Sequence, residues 1–265
     1  MLPDYKMIAH RFENDITIIP VFDVHYGAKE HMADVWESFL EKVRNTPDVY
    51  LVLGGDLIQN STRSSVSNIF DDTMRPSEQK KAMAKMLEPV RDRILCSVTG
   101  NHERRSTKDA DSDPSFDIMV KLDLEELHRE NMAFLKIQMG KQERDSGGRT
   151  SGKMRPVYSM VVTHGSGGGI YTGTAVLKAE RFGYVIDGLD VLVVGHSHKP
   201  FTTQPGKLKI DLRNNKVSVA PFKVITATSW LEYAGYAAQK LYLPTTYCLH
   251  TIKLSSNKKD IVVTM

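Results

Sequence analysis

The stretch Leu95-Cys96-Ser97-Val98-Thr99-Gly100-Asn101-His102-Glu103 reads as a short buried strand that stops at a glycine and delivers Asn101 and His102 off its end. Alone it is a weak signal, because one Asn or His after a strand is ordinarily a turn residue. Four other β-like runs stop in the same manner. Residues 16–22 run into Asp23-Val24-His25-Tyr26-Gly27 and residues 49–53 into Gly54-Gly55-Asp56. Residues 157–163 run into His164, and 191–194 into Gly195-His196-Ser197-His198. In open α/β sheets ligands gather beyond the carboxyl ends of the strands, so these residues are expected to converge. Glycine beside nearly every one lets the chain turn sharply and lets backbone approach a ligand.

The segments between these strand ends set the fold class. Met32, Val35, Trp36, Phe39, Leu40 and Val43 recur with the period of one helix face. Ser77 is expected to cap a second helix carrying Met83, Met86, Leu87 and Val90, with a kink or a new turn at Pro89. After an acidic loop at 109–113, Phe116, Met119, Val120, Leu124 and Leu127 mark a third. Residues 133–139 and 157–163 read as strands joined by a long loop over 140–156, rich in Gly, Ser, Lys and Arg. A modest helix is expected around 175–184, and strands at 207–212, 217–228 and 247–254. Helices separate the early strands, whereas the later ones follow one another. This predicts an α/β fold with a parallel βαβ half and a more antiparallel half, two sheets packed face to face with helices outside. With no internal repeat and no linker, residues 1–265 are expected to form a single domain.

Composition removes several function classes. A formal charge of +3 is too small to draw nucleic acid by bulk electrostatics, so any anionic substrate must be held by a local site. The two cysteines, Cys96 and Cys248, lie in apolar runs and indicate neither a disulfide framework nor a thiolate metal cluster, only buried thiols in a reducing compartment. No run approaches the roughly 18 apolar residues of a membrane span, and the first residues lack a signal-peptide core. A cytoplasmic location without a membrane partner is the expectation; oligomeric state is not legible.

The ligand types choose the chemistry. Oxygen and imidazole donors without thiolate suit Mn²⁺, Fe or Zn²⁺. Asp23, His25, Asp56, Asn101, His164, His196 and His198 are too many for one tetrahedral zinc but suit two metals sharing a carboxylate. With only Asp23 and Asp56 anionic, two divalent ions leave a net charge near +2. That favours an anionic phosphoryl group and two-metal hydrolysis.

Asp23-x-His25, Gly55-Asp56, Gly100-Asn101-His102-Glu103, His164 and Gly195-His196-x-His198 together resemble the complete five-motif signature of the calcineurin-like metallophosphoesterases, in order and over residues 16 to 200. The resemblance implies a four-layer α/β/β/α sandwich with a dinuclear site, two divalent ions with Mn²⁺ first and Fe or Zn²⁺ as alternatives. It implies that one ion takes Asp23, His25, Asp56 and His198, and the other Asp56, Asn101, His164 and His196, with Asp56 bridging. A hydroxide between the ions would be the nucleophile, and His102 would lie over the substrate as the catalytic group that protonates the leaving oxygen or stabilises its charge.

One position departs from the pattern. Phosphomonoesterases and protein phosphatases of this family usually place an Asp three residues after the bridging one, where it orients the catalytic histidine; here that position is Gln59. The run 54–60 is closer to the DNA-repair exonuclease branch, which points to phosphodiesters, in DNA, RNA or a nucleotide-type substrate, over phosphomonoesters or phosphoproteins. A scaffold that keeps the fold without catalysis is the third reading, and no ligand is missing to support it. Arg104 and Arg105 follow His102 and are candidates to hold a phosphate. The stretch 165–173 reads as a lid or a plain turn. Lys141, Arg144, Arg149, Lys153 and Arg155 read as a nucleic-acid track or a solvated loop, and Trp230, Tyr233 and Tyr236 as a base-stacking group or core.

Overall fold

The structure, a computed structural model, describes residues 5–63, 65, 69–141, 155–167, 169, 171–239 (for Tyr236, its backbone), 241–244 and 246–265. The loop expected at 140–156 therefore lies outside the described residues over 142–154, as do Gly168 and Ile170.

In chain order the strands of the first half are β1 (Ile8–Phe12), β2 (Ile16–Val21), β3 (Val49–Leu53), β4 (Ile94–Val98), β5 (His128–Arg129), β6 (Met132–Met139) and β7 (Val157–Thr163). There follow β8 (Val191–Val194), β9 (Phe201–Thr203), β10 (Gly206–Asp211), β11 (Lys216–Pro221), β12 (Lys223–Thr226), β13 (Thr251–Leu254) and β14 (Ile261–Thr264). The helices are α1 (Ala33–Asn45), α2 (Pro76–Leu87), α3 (Glu103–Ala110), α4 (Pro114–Lys121), α5 (Thr172–Val185) and the short α6 (Gly235–Gln239).

Two six-stranded sheets form, in the orders β14-β13-β2-β3-β4-β5 and β1-β6-β7-β8-β12-β9. Between them lies one apolar core, with Ile18, Val52, Cys96 and Val98 from the first sheet against Leu135, Ile137, Met160, Val162, Val193 and Ile225 from the second. Alternate residues of the same strands, Ile19, Val21, Leu51 and Leu53, turn outward and are covered by α1, α2 and α4 through Trp36, Phe39, Met83 and Met119. On the far side α5 covers Val161, Leu192 and Val224. The result is the α/β/β/α sandwich. A strand buried on both faces is apolar at nearly every position, which is why β3 and β8 read as unbroken hydrophobic runs and β4 is interrupted only by the buried Ser97.

The strand pairing follows the expected division of the chain. The early strands β2, β3, β4 and β5 pair in parallel, whereas most pairings among the later strands are antiparallel, at β6–β7, β12–β9, β10–β11 and β13–β14. The second large sheet also holds parallel pairs, at β1–β6, β7–β8 and β8–β12. The run 217–228 is two strands parted at Phe222: β11 joins β10 in a separate hairpin, and β12 enters the large sheet.

The helices show why local pattern misses some boundaries. Helix α2 starts at Pro76 rather than under a Ser77 cap, with Glu78 reaching back to accept a hydrogen bond from the Arg75 backbone N–H at 3.0 Å. Leu124 and Leu127 lie beyond α4, whose inward residues are Ile118 and Met119, while Phe116 and Val120 stay exposed. Helix α3 has no apolar stripe at all; among its residues only Glu103 is buried, and it forms because of what Glu103 binds. Trp230 belongs to the core, edge-on to Trp36 at 4.9 Å between ring centroids, whereas Tyr233 is exposed. Cys96 is buried as expected and Cys248 is only half-buried. No helix among the described residues is long and apolar enough to cross a membrane.

His250, just before β13, is 1% exposed and neither ring nitrogen finds a hydrogen-bond partner. Burial pushes its pKa down from 6.5 to about 4. The unfolded chain then takes up a proton below pH 6.5 that the folded chain refuses, so stability is lost as pH falls from 6.5 towards about 4. At pH 5 this residue is expected to cost about 2 kcal/mol relative to neutral pH. His250→Leu should flatten that part of the profile, as read from urea unfolding at the two pH values.

Candidate metal centre

All five strand ends singled out in the sequence meet at one edge of the sandwich. The loops after β2 and β3 remain paired beyond the sheet: Asp23 N–H donates to Gly55 O at 3.1 Å and His25 N–H to Asp56 O at 2.9 Å. The loops from the second sheet are tied across the gap, where His196 N–H donates to Asp23 Oδ2 at 2.9 Å and His164 Nδ1 to Gly54 O at 2.9 Å. Space here is tight. A Cβ on Gly100 would lie 2.1 Å from Asp56 Oδ1, and one on Gly55, at φ +87°, 2.4 Å from Gly100 N. Side chains at these two places would push the strand ends apart.

The seven expected ligands lie together. Asp23, His25 and His198 form one cluster of ligand atoms within 4.8 Å of one another, and Asp56, His164 and His196 another. Asp56 Oδ2 sits between them, 3.9 Å from His25 Nε2 and 3.4 Å from His164 Nε2. Asn101 Oδ1 completes the second group, 2.8 Å from His164 Nε2 and 2.6 Å from His196 Nδ1. Asp23, His25, Asp56, His196 and His198 all hold left-handed backbone angles, φ from 49° to 66°. Each such non-glycine residue costs about 1 kcal/mol, and strain gathered on one set of side chains marks a working site.

The donor set fits cations. His25 directs Nδ1 to Gln59 Oε1 at 3.1 Å and His164 directs Nδ1 to Gly54 O, so both present Nε2 inward, towards carboxylate oxygens and each other's neighbours. His25 Nε2 faces His198 Nε2 at 3.2 Å, and the buried Asp23 Oδ1 lies 3.3 Å from that same His198 Nε2. Acceptors converging on acceptors are stable only with positive charge between them. Protons answer part of that need. Burial opposes charge on His164, but Asp56 beside it overrides burial and lifts its pKa to about 10. At His198 burial is likewise outweighed by Asp23, and the pKa is raised. His25 goes the other way, held neutral by burial and by the His102 ring.

One residue carries the loop geometry that the sequence motif contains without explaining. Glu103 is fully buried, and its carboxylate accepts from the N–H groups of Asp56 at 2.9 Å, Gly100 at 3.1 Å and Ile58 at 3.2 Å. Burial, with Asp56 adding to it, raises its pKa to about 8. Asn60, also buried, holds the other side of the turn through Nδ2 to His102 O at 2.7 Å. A lone Glu opening a helix gives no sequence signal for such a role.

His102 stands over Asp56, its Nε2 3.8 Å from Oδ2 and its N–H on Oδ1 at 2.8 Å. Its Nδ1 donates to the main-chain oxygen of Gln59 at 2.8 Å, while the Gln59 side chain serves His25. Arg105 donates from Nη2 to His102 Nε2 at 2.9 Å and from Nη1 to Gln59 O at 3.2 Å. Arg104 turns away to Glu130 and Asn131. Burial above all keeps the His102 pKa low.

Beside the cluster a cleft of about 800 Å³ opens against Asn101, His164 and His196, with Arg104, Met132, Phe182 and Arg181 among its walls. His102 takes no part in lining it.

The family model of the calcineurin-like phosphoesterases matches residues 21–200. The chain belongs to this family. The matched span contains every one of the seven clustered residues, and membership makes the protein a metal-dependent phosphoesterase acting on phosphate esters. Among solved structures, this phosphoesterase resembles a conserved uncharacterized protein, a predicted phosphoesterase, from Streptococcus pneumoniae TIGR4. Identity is 10%, with 94% of this chain and 88% of that one covered and a TM-score of 0.38. It also resembles the calcineurin-like phosphoesterase YfkN from Bacillus subtilis, at 11% identity, 95% and 90% coverage and a TM-score of 0.36. No curated protein matches the chain.

Two outcomes are expected of this calcineurin-like phosphoesterase. Glu103→Ala strands three buried N–H groups, so urea unfolding should show a loss of at least about 3 kcal/mol, with weaker metal uptake in the same protein. Because His164 and His198 hold protons that a cation must displace, Mn²⁺ affinity should strengthen as pH rises from about 6 to about 8. Calorimetric titration in buffers of different ionisation heat would detect the released protons.

Proposed function

We propose that the protein hydrolyses phosphodiesters of nucleic-acid or nucleotide type, using two divalent ions, Mn²⁺ by preference. In this reading residues 1–265 are one cytoplasmic domain, closer to the DNA-repair exonuclease branch than to the protein phosphatases. One ion is held by Asp23, His25, Asp56 and His198, the other by Asp56, Asn101, His164 and His196. The ions supply Lewis acidity to the phosphoryl oxygens and the activation of water.

The observation that carries the diester reading is that the cleft meets the clustered ligands at Asn101, His164 and His196, while His102, which does not line it, stands over Asp56. A monoester has one organic substituent, which must sit by the group that protonates it. A diester has a second, and the recess against Asn101, His164 and His196 gives it room, with Met132 and Phe182 suited to a ring or an apolar body. Main-chain rather than carboxylate support of His102 agrees with this.

The side chains then have distinct work. The incoming phosphate draws the Arg105 guanidinium off His102 Nε2 and is held by it. Freed from that cation and facing an anion, His102 gains a proton at Nε2, with Nδ1–H still fixed on Gln59 O, and passes it to the leaving oxygen. Gln59 keeps His25 in the tautomer that presents Nε2 inward.

With Mn²⁺ added, kcat/KM for bis(p-nitrophenyl) phosphate should exceed that for p-nitrophenyl phosphate about tenfold or more; preference for the monoester overturns the reading in favour of a phosphomonoesterase or protein phosphatase. His102→Ala should lose about 10²–10⁴ in turnover and keep its metal, whereas Asp56→Asn should lose metal as well. Equal metal loss in both variants would remove His102 from its role.

A further inference from the structure

The hairpin β10–β11 belongs to neither large sheet and carries its apolar side chains on the wrong face for a monomer. Leu208 lies opposite Val219 and Ile210 opposite Val217, so these four form cross-strand pairs on one surface, extended by Leu212 at the turn. They are 77%, 66%, 68%, 61% and 85% exposed in the order named. The other surface presents Lys207, Lys209, Asp211, Lys216 and Ser218, and Lys207 points to the body of the protein, over the Phe222 ring with its ammonium on Ile186 O. Lys207, Asp211 and Ser218 on that surface are half-buried, while Lys209 and Lys216 stay exposed, and the aliphatic surface turns to solvent along its whole length.

A two-stranded hairpin is marginal in water unless its apolar face is covered. Of the segments outside the described residues the longest, 142–154, is polar apart from Met154. The exposed face itself holds five aliphatic side chains and no charge, which gives a partner of opposite charge nothing to pair with. Its natural complement is a copy of itself, related by a two-fold axis, aliphatic against aliphatic. At roughly 100 Å² for each side chain, two copies together bury on the order of 1,000 Å², the lower limit for a specific interface.

We propose that the hairpin β10–β11 is a homodimer interface in which the face of Leu208, Ile210, Leu212, Val217 and Val219 packs on the same face of a second copy. The reading is independent of which ester the site cleaves. Sedimentation equilibrium of the full chain at micromolar concentration should give twice the chain mass of 29.8 kDa. Leu208→Lys with Val219→Lys should weaken association at least about 100-fold while leaving the far-ultraviolet circular dichroism and the phosphoesterase rate as they were. Lys209→Glu, on the opposite face, should remain dimeric. If the double variant fails to fold, the milder Val219→Ser is expected to raise the dissociation constant about tenfold. A monomer at 100 µM, a dimer that survives these substitutions in folded protein, or a monomer that instead binds anionic phospholipid vesicles through this hairpin overturns the proposal.

Discussion

Buried carboxylates that accept main-chain N–H groups are the interaction on which this site depends. Glu103 gathers the N–H groups of Asp56, Ile58 and Gly100, Asp56 takes that of His102, and Asp23 takes that of His196 from the opposite sheet. The bonds to Asp56 and Asp23 are charge-assisted, of about 1.5–3 kcal/mol each in a water-poor setting, and Glu103, its pKa lifted to about 8, joins the turn after β3 to the end of β4 through three N–H groups. Of the three, only Glu103 lies outside the clustered side chains; Asp56 and Asp23 hold loops and belong to the cluster at once.

The same site is costly to hold. Five residues with side chains sit at left-handed φ, and the inward nitrogens and oxygens face one another without intervening donors. Such an arrangement persists because the sandwich beneath it is rigid: both faces of β2, β3 and β4 are packed, so the strand ends cannot relax outward without opening the core. The sheets thus supply stability that the loops give up, and cations or protons relieve the rest.

His102 and the cleft meet the clustered ligands at different residues. Over Asp56 an imidazole is fixed by a main-chain oxygen and checked by Arg105; against Asn101, His164 and His196 an apolar-walled recess reaches α5. Replacement of a carboxylate by Gln59 was legible in the sequence, but its consequence was not. The Gln59 side chain supports His25, while its backbone, which every residue possesses, supports His102.

Sequence alone determined the layered α/β class, the strands that end at the site and the identity of the clustered side chains, because strand period, glycine and ligand type are local properties read along the chain. Tertiary structure decided the rest. Helix α3 has no apolar stripe and exists through the buried Glu103; the parallel pair β1–β6 joins strands distant in sequence; Arg104 and Arg105 look alike in the chain but only Arg105 reaches His102. The hairpin β10–β11 alternates as any half-buried strand pair would, and only its place outside both sheets shows that its apolar face is turned to solvent. In each case the deciding contact spans residues far apart in sequence or sets which side faces the core, and local composition carries no record of either.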